Sequence, residues 1–137
     1  MKYLVDTSAL IRIGRRQVEP VWYDVIDRGL VAICEPVLVE TLTAADAKSY
    51  ARAEETLRAA YPWVPVPDDV WAIVTAVQRE LASQSQHQGL SIADHLVAAT
   101  AIRLKLVVLH EDADFETVSH LMPQLRQERI SALPQAL

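Results

Sequence analysis

The chain predicts an α/β fold, an α/β/α sandwich built on a mostly parallel central sheet, and three observations carry that prediction. Short apolar runs at residues 3–5, 30–33 and 106–109 have the length and composition of buried strands. The segments between them read as helices, and strands that alternate with helices form parallel βαβ units. With 137 residues and 51% apolar content, the chain is sized for one domain spanning 1–137 with a substantial hydrophobic core.

Taken in order, Tyr3, Leu4 and Val5 form the opening strand, and a short helix over 7–13 follows, stopped by Gly14. Pro20 starts a second helix over 21–28, with Val21, Val25 and Ile26 on one stripe and Gly29 as its stop. The strand at 30–33 runs on into the lone cysteine, Cys34, which cannot form an internal disulfide and reads as a small buried hydrophobe. Pro36 suits the first turn of a third helix over 37–42. A longer amphipathic helix over 47–60 carries Lys48, Arg52, Glu54, Glu55 and Arg58 on its solvated sides.

Prolines 62, 65 and 67 interrupt an alternating stretch at 61–67, which predicts no more than a short edge or third strand. A helix over 70–85 with Trp71, Val74, Val77 and Leu81 gives way to a polar loop at 83–89. From Ser91-Ile92-Ala93-Asp94 to Ile102 the sequence is almost continuously apolar and Ala-rich, the pattern of a helix buried on most sides. The strand at 106–109 exits into the acid-dense turn His110-Glu111-Asp112-Ala113-Asp114-Phe115 and a last helix. Residues 129–133 predict a final edge strand.

Composition excludes several function classes. A net charge of −5 argues against holding nucleic acid through bulk positive charge. It leaves metal-dependent phosphodiesterases open, because divalent cations gathered by acids invert the local field where a phosphate must sit. No run approaches the ~20 apolar residues of a membrane span, and no basic region leads a long apolar segment, so the expectation is a soluble, cytoplasmic protein that is not secreted and has no membrane contact. With three glycines there is neither a P-loop nor a dinucleotide fingerprint, and no Gly-x-Ser-x-Gly elbow occurs. His87, His95, His110 and His120 have no zinc-site spacing and read as surface or supporting groups.

Four carboxylates stand out by position. Asp6 and Asp112 each follow an apolar strand, so in a parallel sheet both emerge at one edge, where open α/β sheets bind their ligands. Glu40 and Asp94 each lie near the start of an otherwise apolar helix. Each acid also has a structural reading: Asp6, Thr7 or Ser8 as a helix cap, Ser91-x-x-Asp94 as a near capping box, Asp112 or Asp114 as the cap of the last helix. Together they make an all-oxygen donor set, which hard divalent ions such as magnesium or manganese prefer. Arg12, Arg15 and Arg16 surround the end of the first helix, where they either meet phosphates or favour the helix dipole.

Leu4-Val5-Asp6-Thr7-Ser8-Ala9-Leu10, Glu40, Ser91-Ile92-Ala93-Asp94-His95-Leu96-Val97-Ala98-Ala99-Thr100-Ala101 and Leu109-His110-Glu111-Asp112-Ala113-Asp114-Phe115 together resemble the PIN-domain ribonucleases, most closely the VapC toxins of bacterial toxin-antitoxin pairs. The likeness covers nearly the whole chain. It implies a PIN-like α/β/α fold and an acidic pocket for Mg2+ or Mn2+, with Asp6, Glu40, Asp94 and Asp112 as the acids, Asp114 as a fifth, and Thr7 or Ser8 as an auxiliary hydroxyl. It also implies RNA as substrate, a VapB-like antitoxin that covers the pocket, and a homodimer. On that reading the cap of the first helix passes to Thr7 or Ser8, and Arg12, Arg15, Lys48 and Arg52 are candidate RNA contacts. His110 departs from the pattern, since many relatives carry Thr before the last acidic pair. Two rival readings stand beside this one. A non-catalytic PIN-like RNA- or partner-binding domain would keep the fold without cleaving. A phosphotransfer enzyme of haloacid-dehalogenase type would use Asp6 as nucleophile, but it requires Asp where this chain has Ser8.

Overall fold

The computed structural model describes residues 1–137 and has the element order β1 (Tyr3–Val5), α1 (Thr7–Gly14), α2 (Val21–Asp27), β2 (Val31–Ala32), α3 (Glu35–Thr43), α4 (Tyr50–Ala60), α5 (Trp71–Ser83), α6 (Ile92–Leu104), β3 (Val107–His110), α7 (Ala113–Leu121) and β4 (Arg126–Arg129). All four strands are parallel, in the order β2-β1-β3-β4. The α/β class and the parallel sheet agree with the sequence reading.

The strand order fixes where a ligand can sit. From β1 the chain turns to the β2 edge, and from β3 it turns the other way to β4. The boundary between β1 and β3 is therefore a switch point, and the carboxyl ends of these two strands are where open α/β sheets take their ligands. Their register pairs Val5 with Leu109, so the next residues, Asp6 just past β1 and His110 at the end of β3, stand side by side at the sheet's edge. Asp6 N–H closes the ladder on the Leu109 carbonyl at 3.0 Å.

Every residue of β1, β2 and β3 is buried, which is why these strands read as unbroken apolar runs rather than alternating ones. Trp22 joins this core, packing edge-on to Tyr3 with ring centroids 5.4 Å apart, whereas Trp63 and Trp71 stay partly in solvent. Cys34 is buried and free, and burial pushes its thiol up to about 11. Helix α6 is buried along Val97, Ala98, Ala99, Thr100 and Ala101, as its composition predicts.

Three element boundaries depart from expectation. The last strand is Arg126–Arg129 and not 129–133, because β4 is held by backbone pairing to β3 while its charged side chains face outward or pair, leaving no apolar signature. The stretch at 61–67 forms only a single bridge, Trp63 to Ile33, since its prolines have no N–H to extend a ladder. Helix α4 starts at Tyr50 instead of 47: the Asp46 carboxylate accepts the Ser49 N–H at 2.9 Å and its hydroxyl at 2.8 Å, which holds the preceding residues in a turn.

Candidate active site

Asp6 sits at the N-cap of α1 with extended backbone (φ −96°, ψ 175°), and its Oδ1 accepts the Ala9 N–H at 2.9 Å. The cap role thus belongs to Asp6 itself, not to Thr7 or Ser8, because only the residue with extended geometry before the first turn can aim its side chain at the free N–H groups. The Ser8 hydroxyl lies 2.8 Å from both Asp6 carboxylate oxygens and accepts the Glu111 N–H at 2.8 Å, so it ties the exit of β1 to the exit of β3. Asp6 is 2% exposed. Desolvation raises its pKa to about 6 against the pull of the Ala9 and Ser8 hydrogen bonds, and the charge of Asp94 adds to the rise.

Asp94 stands in the first turn of α6, where its N–H donates to the Oγ of the N-cap Ser91 at 3.1 Å. Burial raises its carboxyl to about 6 despite Ser91, and the charges of Asp112, Glu40 and Asp114 push the same way. Asp112 caps α7, accepting the Asp114 N–H at 2.9 Å. One carboxylate oxygen from each of Asp94, Asp112 and Asp114 lies within 4.8 Å of the other two. Asp114 is raised by burial and by Asp112. Asp6 falls outside that tight trio yet is electrostatically joined to it through Asp94. Glu40 is exposed on α3, which packs against α6, and its charge reaches Asp94 from the rim.

Like charges gathered in this way are tolerated when a cation neutralises them, and the donor set is all oxygen. These residues fit a divalent ion of the magnesium or manganese type.

Of the four histidines read as surface or supporting groups, His95 alone departs from that reading and is a core residue, whereas His110 is a buried supporting group behind Asp112. His87 and His120 are exposed, but His95 is 5% exposed with neither ring nitrogen hydrogen-bonded, and burial lowers its pKa. His110 is fully buried at the end of β3. Its Nδ1 accepts the Asp112 N–H at 3.0 Å, which leaves the ring hydrogen on Nε2, 2.6 Å from Gln127 Oε1 on β4. Burial holds the ring neutral, so the strand edge, the imidazole and the Asp112 backbone form one fixed chain. Next to it, burial works against the Glu111 charge, but hydrogen bonds from Ser131 and Arg129 (Arg129 Nη1 at 2.9 Å) hold its pKa below the usual value. Sequence reasoning passed over Gln127, Arg129 and this use of His110; the one available signal was a histidine closing an otherwise apolar strand.

The basic candidates divide. Arg12 is near enough to Glu111 to stabilise its charge, whereas Arg15 and Arg52 line one largely apolar groove of about 690 Å³ between α1 and α4, with Leu10, Ile13 and Leu57. Lys48 is exposed in the turn before α4, and Thr7 is half-buried at the start of α1.

Comparison with known proteins matches residues 3–121 to the PIN domain. The chain belongs to the PIN domain family. Among curated relatives of this PIN domain, Ribonuclease VapC2 of Mycobacterium tuberculosis (strain CDC 1551 / Oshkosh) is 35% identical over 135 residues, covering 97% of this chain and 95% of the relative. Ribonuclease VapC6 of the same species is 36% identical over 101 residues, covering 73% and 80%. Solved structures with the same fold include DNA-bound VapBC from Salmonella typhimurium (TM-score 0.78, 18% identity, 95% and 98% covered) and VapBC-1 from nontypeable Haemophilus influenzae (0.76, 14%, 96% and 100%). No helix of this PIN domain is long and apolar enough to cross a membrane.

Proposed function

We propose that this PIN domain is a magnesium- or manganese-dependent endoribonuclease that acts as the toxin of a toxin-antitoxin pair. The observation that carries the proposal is the convergence of Asp94, Asp112 and Asp114 within 4.8 Å, with Asp6 coupled to them at a parallel-sheet switch point. Relatives sharing about a third of the sequence are named ribonucleases.

A divalent cation bound there supplies Lewis-acid stabilisation of phosphate charge and lowers the pKa of water. Asp94, Asp112 and Asp114 would hold it, and Asp6 would complete the negative field from below. Glu40, free at the rim, would orient the attacking water or take its proton. Ser8 ties the exits of β1 and β3 together through the Glu111 N–H, and His110 fixes the turn after β3 by accepting the Asp112 N–H while its other ring nitrogen meets Gln127 on β4. Asp6 as a covalent nucleophile is disfavoured, because its carboxylate is engaged by Ala9 and Ser8 and position 8 offers no acid.

The same reading extends to partners. One solved neighbour, VapBC-5 from Mycobacterium tuberculosis, is described as a member of the VapBC family of toxin-antitoxin systems, and we propose a VapB-like antitoxin whose segment covers the acidic pocket, in a cytoplasmic setting. A homodimer is supported by Val39, Trp71 and Ile92, large apolar side chains left exposed on α3, α5 and α6, of which α6 packs against each of the other two.

Purified protein supplied with Mg2+ or Mn2+ is expected to cleave RNA internally, while folded Asp6→Asn and Asp94→Asn variants do not. Full cleavage by either variant refutes the assignment.

A further inference from the structure

Glu111 lies between His110 and Asp112 in the acid-dense turn, yet it stays outside the carboxylate trio. Its side chain is 11% exposed, and the groups that occupy it come from β4 and the turn after it. Arg129 Nη1 donates to Oε2 at 2.9 Å, the Ser131 hydroxyl donates to the same oxygen at 3.1 Å, and the Ser131 N–H donates to Oε1 at 3.1 Å. Arg129 turns its other terminal nitrogen to Glu116 on α7. Both anchors lie past residue 121, where the match to the PIN domain ends. We propose that Arg129 and Ser131 are positioning residues of the active site, acting on Asp6 through Glu111 and Ser8. The inference rests on the endoribonuclease reading above and adds to it two residues that touch neither metal nor RNA.

The relay follows from donor and acceptor chemistry. An N–H only donates, so the Glu111 N–H, 2.8 Å from Ser8 Oγ, takes up a lone pair of that oxygen. The single hydroxyl hydrogen then points away from Glu111, and the acceptors it meets are Asp6 Oδ1 and Oδ2, each at 2.8 Å. Where the Glu111 backbone stands therefore sets whether Ser8 faces Asp6.

That backbone is held by its own side chain. A carboxylate this far out of water needs charged or multiple donors, and here it has the guanidinium and both donors of Ser131, with Arg12 as a second cation nearby. Without Arg129 the carboxylate keeps only two neutral donors and is better solvated by swinging outward, which carries the N–H away from Ser8. A merely structural Arg129 would instead pin α7 to β4 through Glu116, and the two roles predict different outcomes.

The test is a double-mutant cycle on the full chain, read by calorimetric Mn2+ titration. Arg129→Met keeps the apolar stem, removes the donors and should weaken Mn2+ binding about tenfold, the lower end for groups that orient metal-holding side chains. Ser8→Ala should cost as much, and adding Arg129→Met to it should cost nothing further, because the relay is already cut. Arg129→Lys, which keeps a cation for Glu111, should restore most of the affinity, and Glu116→Gln should leave it unchanged. In chelator, Arg129→Met should speed hydrogen exchange at the Glu111 N–H relative to the Asp6 N–H, which is held by the Leu109 carbonyl. Should Arg129→Met not fold, Ser131→Ala takes its place in the same cycle. Additive losses in the double variant, a Glu116→Gln loss equal to that of Arg129→Met, or unchanged exchange at Glu111 overturns the relay and leaves the ribonuclease reading standing. Wild type that neither binds Mn2+ nor cleaves RNA overturns both.

Discussion

Replacing Asp6 by Asn is expected to stabilise the metal-free protein at pH 8, the same change that should abolish cleavage. Burial moves the Asp6 carboxyl from its ordinary 3.8 to about 6. Between those values the folded state holds a proton that the unfolded state has released, so stability falls as pH rises through that window and stays low above it. At about 1.4 kcal/mol per pH unit, the ionised side chain costs roughly 3 kcal/mol, with its Ala9 and Ser8 hydrogen bonds already included. Asn keeps an oxygen for both of those donors but brings an amide whose hydrogens lack an assured partner, a cost of about 1–3 kcal/mol. The net gain expected is about 1 kcal/mol, or a few degrees in Tm. Thermal melts in chelator at pH 5 and pH 8 measure it: the variant should melt higher at pH 8, with the difference shrinking toward pH 5 as wild-type Asp6 takes up its proton. Saturating Mn2+ should raise the wild-type Tm more than the variant's, since only wild type keeps the full acidic set. A variant less stable than wild type at pH 8 in chelator would refute the reasoning, because Asp6 would then be a net stabiliser as a carboxylate.

Two further outcomes follow from the network around the site. His110→Thr should retain Mn2+ affinity and most of the cleavage rate, because a Thr hydroxyl can accept the N–H two residues on, whereas His110→Leu leaves the partly buried Asp112 N–H without its acceptor, costing about 1 kcal/mol and loosening the metal site; calorimetric Mn2+ titration and thermal melts separate the two. In an Asp94→Asn background, each of Arg12, Arg15, Lys48 and Arg52 that meets a phosphate should, when changed to Gln, reduce the salt slope of single-stranded RNA binding by about 0.7. An unchanged slope removes that residue from the interface.

The sequence by itself determined the layer order and most of the acids. Strands buried on both faces must be apolar throughout, so β1 and β3 were legible from Tyr3-Leu4-Val5 and Leu106-Val107-Val108-Leu109, and an acid directly after such a strand must emerge at the sheet's carboxyl edge. What the tertiary structure decided is everything set by pairing across the chain. The edge strand Arg126–Arg129 has no apolar signature because its backbone, not its side chains, joins it to β3. Asp6 as cap and buried acid at once, Ser8 bridging to Glu111, and His110 locked between Asp112 and Gln127 depend on neighbours up to 103 residues away. Asp114, which the resemblance adds only as a fifth acid, belongs to the tight trio, while Asp6 stands just outside it. Local spacing shows which residues leave a strand or open a helix, but the register of β1 against β3 and the packing of α6 set how close those residues come.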